Sequence, residues 1–145
     1  MLLGGDRRSF VGAARVGRLA TVRADGRPHV VPVCFALVDN RVVTPIDAKP
    51  KRVDATRLQR VRNVRATGVG SLVVDRYVED WSNLGWVRID GPTSIVGPAD
   101  DSHAEAIAAL REKYSQYRTH PLEAQLVIEL DIEHVAAWGS LEEPP

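Results

Sequence analysis

Seven basic side chains lie between residues 49 and 65: Lys49, Lys51, Arg52, Arg57, Arg60, Arg62 and Arg65. Only Asp54 opposes them, so the segment carries a net charge of +6. It reads as a polar loop, Asp47 to Ala55, that leaves a strand and enters a helix from about Arg57 to Ala66. Backbone N–H groups at such a helix start, joined by Lys and Arg side chains, are suited to holding phosphate. The plainer alternative is a solvated basic face. Leu58, Val61 and Val64 recur every third residue, so the helix also packs against the body of the protein.

Aromatic residues form a second group. Tyr77, Trp81 and Trp86 fall within ten positions, with Asp80 beside Trp81, and Trp138 follows much later. Planar rings at the mouth of a pocket can stack on a planar ligand, or they can fill a core or a subunit seam. The four histidines, His29, His103, His120 and His134, show no metal-ligand spacing, and no metal site is expected. His103 and His120 read as exposed helix-end residues. Cys34, the only cysteine, excludes an internal disulfide and falls in an apolar run, where burial disfavours thiolate. Motifs for acyl transfer, phosphate hydrolysis and dinucleotide binding of the Gly-x-Gly-x-x-Gly type are missing. No side chain is expected to be an indispensable catalytic acid, base or nucleophile.

The elements that must position these groups follow from periodicity. Asp6 can cap a first helix that Gly17 ends. Leu19–Arg23 reads as a strand, and Asp25-Gly26 as a hairpin turn. His29–Val38 reads as one strand, apolar on both faces, with Pro28 and Pro32 implying an edge or a bulge. Arg41–Ile46 is a third strand. After the basic helix come Ser71–Val78, Leu84–Ile89 and, beyond a break at Gly91-Pro92, Thr93–Val96. A helix opens near Pro98, with Ser102 and Glu105 spaced as a capping box. Gln125–Ile132 is the last strand. The expected fold is a small β-barrel of six to seven antiparallel strands with about three helices. It forms one domain over residues 1–140, followed by a disordered tail over residues 141–145.

The size fits one domain, and nineteen acidic and nineteen basic residues cancel. Whole-chain charge therefore gives no support for nucleic-acid or membrane partners. The first ten residues hold no long apolar run, and a cytoplasmic location is expected.

Gly17-Arg18-Leu19-Ala20-Thr21-Val22, followed by Asp25-Gly26-Arg27-Pro28-His29-Val30-Val31-Pro32-Val33, resembles the opening hairpin of the pyridoxamine-phosphate-oxidase-like split-barrel proteins. Arg60-Val61-Arg62-Asn63-Val64 resembles their helix after the phosphate loop. Asp75–Trp81 and Trp86–Gly91 resemble an actinobacterial subgroup of F420-dependent enzymes. The resemblance runs from about Phe10 to Trp138. It implies a split β-barrel and a homodimer with the cofactor ring between protomers. Val31, Pro32 and Val33 would approach that ring, and Thr44 and Pro45 would line the ribityl chain. Lys49, Lys51, Arg57 and Arg60 would meet the phosphate, with Trp86 at the pocket. Two positions depart from the family. Thr67-Gly68-Val69 replaces an Asn-Pro-Arg run, and Gly85 stands where a bulky residue is expected, which would enlarge the pocket.

Residue chemistry and resemblance agree on a planar, anionic ligand. F420 carries more negative charge than FMN, and a +6 segment can offset more than one phosphate. The expected function is an F420H2-dependent reductase of a small conjugated substrate. The alternatives are an FMN enzyme of the pyridoxamine phosphate oxidase type and a protein that only binds a cofactor. In either enzyme the cofactor would do the hydride chemistry while the protein supplies position and electrostatics.

Overall fold

The computed structural model describes residues 2–46 and 58–143. Helix α1 (Gly5–Ala13) leads into β1 (Gly17–Val22), β2 (Pro28–Val33), β3 (Ala36–Val38) and β4 (Arg41–Pro45). Helix α2 (Gln59–Thr67) then precedes β5 (Val69–Arg76) and β6 (Gly85–Val96). Helix α3 (Asp101–Lys113), β7 (Val127–Asp131) and β8 (His134–Gly139) complete the described chain. All pairings are antiparallel. The order is β2-β1-β5-β6-β7-β4-β3, with β8 added beside β6. This is the expected split barrel, with eight strands among the described residues rather than six or seven.

The path has two ends, β2 and β3, yet these strands are consecutive in the chain. Cys34 and Phe35 alone connect them. The barrel is therefore closed at this corner by covalent continuity rather than by a hydrogen-bonded ladder. The expected single strand His29–Val38 is thus two strands on opposite sheet edges. Nor is β2 buried on both faces: it alternates outward and inward, and Val30 is 60% exposed. Its prolines fit an edge, where missing N–H donors cost no ladder bonds.

Strand β6 belongs to both halves. Its first part pairs with β5 and β8, and Thr93–Val96 pairs with β7. The expected break at Gly91-Pro92 does not occur, because the strand turns from one sheet to the other there. A Cβ on Gly91 would fall 1.7 Å from the Asp131 carbonyl oxygen, so the β7–β8 corner can pass only over a glycine.

One core fills the barrel around Leu19, Phe35, Leu72 and Ile89. A second packs α3 onto β3, β4 and β7 through Ile107, Leu110 and Val43. The helix ends differ from the sequence expectation. Asp6 lies in the first turn of α1 behind an N-cap at Gly4, and Gly17 opens β1 instead of ending the helix. Helix α3 starts from Asp100, whose carboxylate accepts the Gly97 N–H at 2.7 Å, with Ser102 inside the helix. His103 is 4% exposed, not solvated, and its Nε2 lies 2.6 Å from the Gln125 carbonyl oxygen. Gly68 closes α2, in the left-handed conformation (φ 67°) that favours glycine. Leu141, the first residue of the expected tail, packs against the barrel core.

Candidate functional site

A cavity of about 260 Å³ opens beside the corner where the barrel's ends meet. The last residues of β2, Pro32 and Val33, form one side. Thr44 and Pro45, ending β4, form another, and Arg60 in the first turn of α2 reaches a third. Five residues singled out from the sequence thus converge, although they come from three separated segments. Val16, Cys34 and Tyr117 complete the lining. Sequence reasoning gave these three no site role. Cys34 reads as apolar structure, and only the fold brings Val16 and Tyr117 to the same wall.

The wall is held from both sides of the corner. The Thr44 hydroxyl, 3% exposed, donates to the Cys34 carbonyl oxygen at 2.7 Å. The Tyr114 hydroxyl accepts the Phe35 N–H at 3.1 Å and donates to the Arg15 carbonyl oxygen at 2.9 Å. Two backbone groups left without a ladder where β2 ends and β3 begins are satisfied in this way. Burial pushes the Tyr114 phenol above its ordinary value, which keeps the donor protonated. Behind the same corner, the Lys113 ammonium sits 3.8 Å from the centre of the Phe35 ring. Burial lowers its pKa to about 8, and the nearby Arg15 charge acts in the same direction.

Among the described residues no carboxylate lines this cavity, and no acidic residue occupies the first turn of α2. Leu58 at the N-cap supplies no side-chain hydrogen bond to the amides of the helix start. Arg60 and the positive end of the helix dipole favour an anion there. Apolar Pro32, Val33 and Pro45 favour a flat organic part beside it.

The other candidates lie apart. Val31 pairs with Leu19 and packs against the barrel core. Trp86 is across from Trp138 and Asp75 on the outer face of the β2-β1-β5-β6-β8 half, where Trp138 is 55% exposed. Lys49, Lys51 and Arg57 lie outside the described residues. Gly85 does not enlarge a pocket: a Cβ there would be 2.3 Å from the Ser140 carbonyl oxygen, so the returning chain fills the space. No cluster of three or more metal-ligating side chains occurs among the described residues, and no described helix is long and apolar enough to cross a membrane.

The family model described as pyridoxamine 5'-phosphate oxidase matches residues 5–139. Among solved structures, a heme storage protein of Vibrio cholerae superposes with a TM-score of 0.72 at 18% identity, covering 96% of this chain and 95% of its own. An F420 reductase superposes with a TM-score of 0.62 at 21% identity, covering 89% and 94%. A FAD-binding protein of Mesorhizobium loti gives 0.64 at 24% identity, covering 90% and 89%. These likenesses establish a common fold across proteins named for three different cofactors. No match is found among curated proteins.

Proposed function

Because the chain belongs to the pyridoxamine 5'-phosphate oxidase family, we propose that it is an oxidoreductase that binds F420 and, with F420H2, reduces a small conjugated substrate as a homodimer. The observation that carries this reading is the cavity at the β2–β3 corner, where apolar strand ends and Arg60 at a helix start face one another. When bound, reduced F420 supplies a hydride to the substrate. Pro32, Val33 and Pro45 would keep water from the ring. Arg60 and the amides at the start of α2 would hold the anionic part, aided by the basic residues from Lys49 to Arg57. Thr44 holds the wall in place through Cys34, and its oxygen remains able only to accept.

Size and surface support the second copy. The cavity is smaller than the roughly 300–1,000 Å³ of complete small-molecule sites. A single chain would therefore form part of a site. The outer sheet face carries the exposed Val30 and Trp138 beside Trp86 and the Arg18–Asp75 ion pair, and its apolar residues are what a second copy would cover.

Titration of the purified protein with F420 and with FMN, followed by cofactor fluorescence, tests the reading. Saturable F420 binding tighter than FMN binding is expected. Tighter FMN binding would favour an FMN enzyme of the pyridoxamine phosphate oxidase type. Binding of F420 without turnover of any responsive substrate would favour a cofactor-binding protein.

A further inference from the structure

We propose that the cleft between α1, the end of β5 and the C-terminal segment binds a flat organic cation, at a site separate from the cofactor cavity. The cleft has a volume of about 690 Å³, in the range of complete small-molecule sites. Its floor is apolar and continuous with the barrel core. Phe10 and Ala14 project from α1, Val74 comes from β5, and Leu141 comes from the returning tail. Such a floor favours an organic ligand over a bare ion.

Charge selects the class of that ligand. Asp6, Glu142 and Glu143 lie around the opening, and among the described residues no ion pair engages any of the three. Asp75 also lines the cleft, already paired with Arg18 at 2.8 Å. Among the described lining residues the one cation, Arg76, is committed to the wall. Its Nε donates to the Asn83 carbonyl oxygen and its terminal nitrogen to the Ser140 carbonyl oxygen, both at 2.9 Å, while its Cζ lies 5.4 Å from the Phe10 ring centre. Arg76 therefore builds the cleft and is poorly placed to grip an anion. Asp6 also suits the positive end of α1, but the tail carboxylates have no such local role. The exposed ring of Tyr77 offers a π-face to a cation. A phosphate-bearing ligand would meet repulsion here, so this cleft and the Arg60 cavity select opposite charges.

Proflavine, a planar cation whose fluorescence changes on binding, is the probe. One saturable site per chain is expected. The triple variant Asp6→Asn, Glu142→Gln, Glu143→Gln should bind it at least tenfold more weakly. Ala13→Trp, which fills the cleft from an exposed position of α1 without changing charge, should abolish saturable binding. Circular dichroism and the urea midpoint would verify that both variants fold, and their F420 affinity should equal that of the parent. Failure to bind proflavine, binding that survives either set of changes, or equally tight binding of anionic anilinonaphthalene sulfonate at the Ala13-sensitive site overturns the proposal. Because F420 is titrated separately, this outcome is independent of the cofactor reading.

Discussion

The Thr44 hydroxyl and the Cys34 carbonyl, ten residues apart in sequence, meet at 2.7 Å where the barrel passes from one edge of its sheet to the other. Thr44→Val keeps the shape and removes the donor, leaving a part-buried acceptor unpaired. The expected loss is about 1–2 kcal/mol, read from urea unfolding. Thr44→Ser should recover most of it. F420 affinity should fall in the valine variant and recover with serine, because the same bond shapes the cavity wall.

Arg60 is the described cation of the cavity. Arg60→Ala should weaken F420 binding roughly 10- to 150-fold, the equivalent of one charge-assisted hydrogen bond of about 1.5–3 kcal/mol. Raising salt should weaken wild-type binding more than variant binding. Equal affinity for both proteins would move the anion elsewhere.

Lys113 makes stability depend on pH. Its pKa is about 8 in the folded chain, against 10.5 for the ordinary side chain. Between these values the unfolded chain binds more protons at this position, so stability rises with pH across the window. Below about 8 both states are protonated and the burden of burying the charge is constant. Lys113→Met should be more stable than wild type near neutral pH, and the difference should shrink as pH approaches about 10. Urea unfolding of both proteins across this range checks the sign.

The assembly prediction concerns Trp138, across from Trp86 on the outer sheet face. Trp138→Glu would place an unpaired carboxylate in the seam between copies. The dissociation constant of the dimer should rise on the order of a hundredfold or more, since an uncompensated buried charge costs about 3–5 kcal/mol. Sedimentation velocity reads this directly. A wild-type protein that sediments as a monomer at micromolar concentration removes the premise.

Pro32, Val33, Thr44 and Pro45 were grouped by the resemblance of their motifs to the family, whereas Arg60 stood out also by its own chemistry, in a basic segment that enters a helix. What the sequence hid was non-local. Gly91-Pro92 reads as a stop, yet the glycine is there to admit the Asp131 carbonyl and the strand continues. The run His134–Gly139 is short and weakly alternating, and it becomes a strand because β6 offers it an edge. His103 has the local look of a solvated residue, and only the fold brings the Gln125 carbonyl to it. Trp86 was grouped with the cavity residues by type, whereas the two-residue alternation of β6 sends it to the outer face.

The sharing of β6 between both halves of the barrel also bears on how the protein comes apart. A sandwich of two independent sheets could lose one and keep the other. Here the removal of β6 would strip partners from β5, β7 and β8 together. Slow amide exchange should therefore extend along β6 through Gly91 without a step, and the two halves should melt in a single transition. The shared strand makes the molecule one cooperative unit, and the corner at Cys34 and Phe35 is the place where its hydrogen-bonded fabric has a seam.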